Sequence, residues 1–256
     1  MNNPCIAHRG ASGLAPENTL AAMREALAFP FVQGIELDVQ LSSDGVPVVI
    51  HDDTLRRTTG QRGRVADYTA AELNRMDAGS WFSPAYKGET IPLLDQVLEL
   101  TGGKTKLNIE LKTYGGRYPG MEQAVVDALQ RRRLTDQAVI TSFDPLALRK
   151  VRELTAELQT GLIIDAAPPG LELGLQQLGA SFLSIGHRHL NAERVWRYED
   201  AGLTVMAWTV NEMKRMRQLA AMSGTLQICT NYPDRFQAAV ASAKPLGSRM
   251  RGWLGR

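Results

Sequence analysis

The chain has 256 residues, of which 44% are apolar, 22% charged and 6% aromatic, a balance that supports a buried core and excludes intrinsic disorder. Its 29 basic and 27 acidic residues leave a formal charge of +2, so no electrostatic excess exists to drive binding to nucleic acid or an anionic membrane. A length of about 250 residues suits one or two ordinary domains, or a single α/β barrel.

The opening MNNPCIAHRG has neither the basic start nor the long apolar stretch of a secretory signal, which predicts a cytoplasmic protein. Cys5–His8 is the first strand candidate, and Asn18 reads as the cap of a helix over Asn18–Ala28. Gly34–Leu41 and Val46–His51 follow as β-rich runs, the second an extension of the first. Asp52–Thr90 then breaks the rhythm with 39 residues rich in Arg, Thr and Gly and one short helical pattern, Ala70–Met76. Most connections run to about 4–6 residues, so this segment is an insertion after the second strand. Beyond it, strand patterns at Lys106–Lys112, Gln137–Phe143, Thr160–Asp165, Phe182–His187, Thr204–Val210 and Leu226–Thr230 alternate with helical ones. The helical patterns are Leu94–Leu100, Met121–Arg132, Leu146–Glu153, Ala192–Ala201, Glu212–Ala221 and Arg235–Ser242, with Gly202 as a terminator. A membrane span needs ~20 predominantly apolar residues. The longest uncharged run, Gln218 to Pro233, has 16 and includes Ser, Gly, Gln, Asn and Pro. The tail at 244–256 carries four basic residues and no acid and reads as a solvated end. Cys5 and Cys229 form neither a disulfide framework nor a metal-ligand spacing. Eight strand–helix units predict a (β/α)8 TIM barrel as a single domain over residues 1–256. An open doubly wound sheet is the alternative, but no glycine-rich fingerprint follows the first strand.

Barrel strands are buried on both faces and usually read as continuous apolar runs. Two strands here do not. In Gly34–Leu41, Ile35, Leu37, Val39 and Leu41 alternate with Glu36, Asp38 and Gln40, and the period of two points Glu36 and Asp38 the same way, into the barrel. In Lys106–Lys112, Leu107, Ile109 and Leu111 alternate with Asn108, Glu110 and Lys112. Three converging carboxylates need a cation; Lys112 neutralises one, and an all-oxygen set suits Mg2+ or Ca2+ better than Zn2+. Solvated surface carboxylates are the competing reading for any single pair, but the same inversion in two strands counts against it. His8 and His51 both end strands on the face where these carboxylates gather, and such a pair supplies a general base and a general acid near neutral pH. Arg9 adds a planar cation suited to phosphate oxygens. His187 and His189 have the spacing of a metal pair but lack a third nitrogen ligand, and no metal role is expected of them.

The stretches HRGASGLAPENTLAA (8–22), GIELDVQLSSDGVPVVIHDDTLRRTTG (34–60), GSWFSPAYKGETIPLLDQVLEL (79–100), LNIELK (107–112) and AWTVN (207–211) together resemble the glycerophosphodiester phosphodiesterase family. The resemblance spans nearly the whole chain, is densest in the first 112 residues, and is carried by HRG, E-x-D, HD and E-x-K in that order. It implies a (β/α)8 barrel with a small insertion after the second strand, and hydrolysis of small-molecule glycerophosphodiesters to sn-glycerol 3-phosphate and an alcohol. It further implies His8 and His51 as the catalytic pair, Glu36, Asp38 and Glu110 as metal ligands, and Arg9 and Lys112 as phosphate contacts. Thr230-Asn231 stands where family members often carry Thr-Asp, which removes a charge near the pocket rim. Trp208 and Asn211, in the AWTVN stretch, read as a core Trp and a helix cap, with pocket contacts as the alternative. The enzymatic alternative is a lysophospholipase D-like barrel, for which Trp81, Phe82 and Tyr86 offer an apolar cluster. A catalytically inactive phosphodiester-binding barrel is the non-enzymatic one, and it predicts the loss of a histidine or carboxylate that this chain retains.

Overall fold

Short strands rich in branched apolar residues, each followed by an amphipathic segment, settle into one architecture in a computed structural model that describes residues 3–241. The basic tail at 244–256 lies outside the described residues. Eight parallel strands form a closed ring: β1 (Cys5–His8), β2 (Val32–Leu41), β4 (Lys106–Leu111), β5 (Ala138–Ser142), β6 (Gln159–Ile164), β7 (Phe182–Gly186), β8 (Thr204–Trp208) and β9 (Gln227–Thr230). β1 pairs with β2 on one side and with β9 on the other, and that double pairing closes the barrel.

β3 (Pro47–Val49) is not the expected extension of β2. It runs antiparallel to it outside the ring, with Val39 opposite Val49 and Leu41 opposite Pro47. The reason is local: Ser42 hydroxyl accepts from Val46 N at 3.0 Å and Gly45 takes φ +76, a reversal that a tight turn requires. The chain thus folds back and delivers His51 to the mouth of the barrel from outside.

Helices α1 (Leu20–Leu27), α4 (Leu94–Thr101), α5 (Met121–Arg131), α6 (Pro145–Leu154), α7 (Leu171–Gln177), α8 (Ala192–Asp200), α9 (Met213–Ala220) and α10 (Pro233–Ala241) cover the outer surface. The outward residues Ile35, Leu37, Val39, Leu107, Ile109 and Leu111 are buried in one cluster with Met23 of α1, Leu98 of α4 and Val125 of α5. Each such aliphatic side chain contributes roughly 1.5–3 kcal/mol by leaving water. Inside the ring, Ile6, Val139, Phe182, Met206 and Cys229 form the apolar floor beneath the mouth. α7 had no marked sequence pattern, because Gly174 sits in its middle and only Leu171 and Leu175 are buried along it. Gly202, at φ +80, ends α8 as expected. Asn18 does not cap α1. Thr19 does, accepting from Ala22 N, and Asn18 turns back toward the barrel.

Between β3 and α4, the short helices α2 (Arg56–Thr59) and α3 (Ala70–Leu73) enclose a small core of Leu55, Val65, Leu73, Ala78 and Ile91. Trp81, Phe82 and Tyr86 stack edge to face at 5.8 and 5.7 Å, and Tyr86 hydroxyl donates to Leu14 O. These rings are thus engaged within the segment and against the β1–α1 connection. Among the described residues no helix is long and apolar enough to cross a membrane.

The turn after His8 depends on Gly10, which takes φ +78 and lies where a Cβ would come within 2.6–2.8 Å of Ala22. Gly10→Ala combines left-handed strain with a clash against helix backbone. It should lower stability by roughly 1–3 kcal/mol, measurable as a lower urea midpoint at unchanged slope.

Candidate active site

Register decides which inward side chains meet. His8 of β1 lies opposite Glu36 of β2, and Asp38 of β2 lies opposite Glu110 of β4. Three carboxylates from two adjacent strands therefore converge, each offering an oxygen within 4.8 Å of the others, and all three residues are buried. Lys112 places its ammonium 2.6 Å from Glu110 Oε1 and 3.3 Å from Asp38 Oδ1. Arg9 Nε stands 3.2 Å from Asp38 Oδ2, while Arg9 Nη1 donates to Glu17 Oε1 and the Arg9 backbone N donates to Glu36 Oε2 at 3.0 Å. Arg9 adopts φ +55 to do this, an uncommon conformation for a non-glycine residue. All seven residues expected at the site thus gather at the C-terminal mouth. His8, Arg9, Glu36, His51, Glu110 and Lys112 line one cavity of about 140 Å³, and Asp38 lies buried behind them, bound to Arg9 and Lys112.

Burial would raise the Asp38 carboxyl, but Arg9 and Lys112 beside it hold it well below the usual carboxylate range. Glu36 is pushed well up by burial and by the neighbouring Asp38 and Glu110 charges, and Glu110 rises to about 7 for the same two kinds of cause. Two cations are too few for three buried anions. Among the described residues, Asp38 Oδ1 and Glu110 Oε1 accept no hydrogen bond of good geometry beyond the Lys112 contacts. An all-carboxylate donor set of this kind could hold a hard divalent ion.

The histidines are held differently. His8 Nδ1 is 2.7 Å from Asn231 Oδ1, and since an amide oxygen only accepts, the proton sits on Nδ1 and Nε2 is presented to the cavity, 3.8 Å from Glu36 Oε2. Burial, then the Arg9 charge, lowers the His8 pKa to about 4. His51 Nδ1 lies 2.7 Å from Asp52 Oδ1, a carboxylate that Arg57 draws down to about 2. Arg57 also binds Glu17, which accepts from Arg9 in turn. A chain of alternating charges, His51–Asp52–Arg57–Glu17–Arg9–Asp38, links the outer histidine to the carboxylate cluster.

Several supporting residues lay outside the expected set. Asn18, at φ +59, donates to Asp38 Oδ2 at 2.8 Å and accepts from Asp38 N. Gln40, fully buried, donates to the carbonyls of Ile50, His51 and Asp52 and accepts from Tyr118 hydroxyl. Its position as the third inward polar residue of β2 was the available signal. Asn211 is not a helix cap: its Oδ1 accepts from Asn231 N and Thr230 Oγ1, bracing the turn that carries Asn231. Trp208 is only partly buried and lines the cavity edge-on to Phe143, and among the described residues its indole nitrogen has no hydrogen-bond partner. His189 and Arg188 pair with Asp165 away from the carboxylate cluster, and His187 pairs with Arg215.

Residues 8–235 match the Glycerophosphoryl diester phosphodiesterase family. The chain is 36% identical over 238 residues to a glycerophosphodiester phosphodiesterase of Caldanaerobacter subterraneus, covering 91% of this chain and 96% of that one. It is 34% identical over 249 residues to a glycerophosphodiester phosphodiesterase of Bacillus subtilis, covering 90% and 84%. Among solved structures, an Oleispira antarctica phosphodiesterase in complex with the product sn-glycerol-3-phosphate superposes with a TM-score of 0.87 at 34% identity, over 93% of this chain and 97% of that one.

The Glu110 shift carries a stability consequence. Its folded pKa of about 7 lies above the ordinary 4.5, so between those values the unfolded chain holds fewer protons and metal-free stability falls as pH rises. Glu110→Gln removes that loss. In chelator at pH 8 the variant should be the more stable by an amount on the order of 1–3 kcal/mol, and the advantage should vanish near pH 4.5. Thermal melts across pH measure both ends.

Proposed function

Because the chain belongs to the glycerophosphoryl diester phosphodiesterase family, we propose that it hydrolyses glycerophosphodiesters to sn-glycerol 3-phosphate and a free alcohol, with a divalent Mg2+ or Ca2+ ion. The observation that carries this reading is the convergence of Glu36, Asp38 and Glu110 within 4.8 Å at a mouth that also holds two histidines and two cations. The product held by the Oleispira antarctica relative supports the same substrate class.

The difficulty of the reaction is charge: an anionic diester repels nucleophiles and must expel a basic alkoxide. Glu36, Asp38 and Glu110 hold the ion, which when bound supplies Lewis-acid withdrawal of charge from the phosphoryl oxygens. Lys112 and Arg9 add fixed positive charge on the same side. His8, neutral at physiological pH with Nε2 toward the cavity, takes the proton of the attacking hydroxyl, whether of water or of the glycerol 2-position. His51, whose pKa burial lowers and the Asp38 charge and the Asp52 hydrogen bond lift only part of the way back, returns a proton to the departing alcohol. Trp208 offers its unpartnered indole N–H to a substrate oxygen. Two buried free thiols, Cys5 and Cys229, suit the reducing cytoplasm, where the reaction is assigned.

Two measurements test this reading. Removal of divalent ions by a chelator should abolish turnover of glycerophosphocholine, and added Mg2+ or Ca2+ should restore it; full activity after verified metal removal would refute the carboxylate site. His8→Ala and His51→Ala should each slow glycerophosphocholine hydrolysis by about 100- to 10,000-fold. A nitrophenolate leaves without a proton, so with a nitrophenyl glycerophosphodiester only His51→Ala should recover most of its rate. Recovery of His8→Ala instead would exchange the two roles, and recovery of neither would remove the histidines from proton transfer.

A further inference from the structure

We propose that Arg57 is a positioning residue for His51: it clamps Asp52 in the orientation that aims the His51 ring into the cavity, an inference that rests on the phosphodiesterase reading above. The backbone at residue 51 and the ring it carries are held by different means. Gln40 and the Tyr114 hydroxyl donate to the His51 carbonyl at 2.9 and 2.6 Å and fix the backbone. The ring has one hydrogen bond among the described residues, from Nδ1 to Asp52 Oδ1 at 2.7 Å. An ionised carboxylate only accepts, so the proton sits on Nδ1 and Nε2 is left for the cavity that His51 lines. The aim of the ring is therefore set by the aim of Asp52, a partly exposed side chain that would otherwise turn toward water.

Arg57 removes that freedom. Its Nε and Nη2 donate to Asp52 Oδ2 and Oδ1 at 2.6 and 2.9 Å, and its Nη1 and Nη2 donate to Glu17 Oε2 and Oε1, both at 2.8 Å. One planar guanidinium thus grips two carboxylates, each through two bonds, which fixes Asp52 in rotation as well as in place. Glu17 is the anchor of the pair. It is more deeply buried than Asp52, and Arg9 Nη1 donates to its Oε1 from the β1–α1 connection. Arg57 stands on α2, which is seated by the buried Leu55 and Thr58 and closed by Gly60 at φ +70. It lines neither cavity at the mouth, so it acts through Asp52 and not on the substrate. Arg56, beside it on the same helix, is exposed and forms no ion pair among the described residues.

The test is a double-mutant cycle on the whole chain with divalent metal supplied, read as hydrolysis of glycerophosphocholine. Arg57→Gln should lower kcat by roughly 10- to 100-fold, the scale of a misaimed catalytic group, with KM changed by less than about twofold. In a His51→Ala background the same substitution should cost less than about twofold, because no ring is left to aim. Arg57→Gln should also share the substrate dependence of His51→Ala: if the nitrophenyl ester restores the rate of one, it restores the rate of the other. Arg56→Gln should match the wild type. Should Arg57→Gln fail to fold, Arg57→Lys, which keeps the charge and lacks the fork, carries the same cycle. No loss from Arg57→Gln, or the same loss with and without His51, overturns the proposal and leaves the phosphodiesterase reading intact. So does a loss that Arg56→Gln reproduces, or one that differs from His51→Ala in substrate dependence. Hydrolysis of neither diester by the wild type refutes the phosphodiesterase reading and this inference together.

Discussion

The organisation of this molecule follows from an imbalance: three buried carboxylates at the mouth of the barrel face two partly buried cations. Isolated, any one of these charges would cost several kcal/mol to hold out of water. Together they arrange their neighbours. Arg9 accepts a left-handed backbone to reach Asp38, Asn18 does the same to hydrogen-bond it, and Lys112 bridges Asp38 and Glu110. The uncommon backbone conformations of the β1–α1 connection thus have an electrostatic cause.

The barrel itself contributes position more than chemistry. Parallel pairing fixes Asp38 beside Glu110 and His8 beside Glu36 without any loop having to be ordered. The apolar floor of Ile6, Val139, Phe182, Met206 and Cys229 closes the ring beneath these groups, so that His8, Glu36 and Glu110 line the cavity at the mouth. Gly161 belongs to the same device, since a Cβ there would lie 2.7 Å from Phe182 and displace the floor.

Much of this was legible in the sequence because a strand's period of two is unforgiving. A carboxylate at 36 or 38 with leucines and valines between can point only inward. The barrel, the seven candidate site residues and their common face follow from that alternation and from the family resemblance. What escaped was whatever depends on three-dimensional return. The pattern at Val46–His51 has the composition of a continuing strand, and nothing in it announces the reversal that makes it an antiparallel neighbour of β2. Asn18 and Asn211 carry the residue type of helix caps, yet a buried anion outcompetes a helix end for Asn18, and the backbone of a distant turn engages Asn211. α7 was invisible because a short helix with two buried residues has almost no periodicity to detect.

Gln40 gives the outer histidine an unusual allegiance. One buried amide on a barrel strand grips three consecutive carbonyls, those of residues 50, 51 and 52, from inside the ring. His51 therefore belongs mechanically to the barrel, although the chain reaches it through the hairpin and continues from it into the insertion. The residues between that grip and α4 become a graft. A change of length or sequence in them would reshape what hangs over the mouth, while Gln40 keeps the His51 backbone fastened to the barrel.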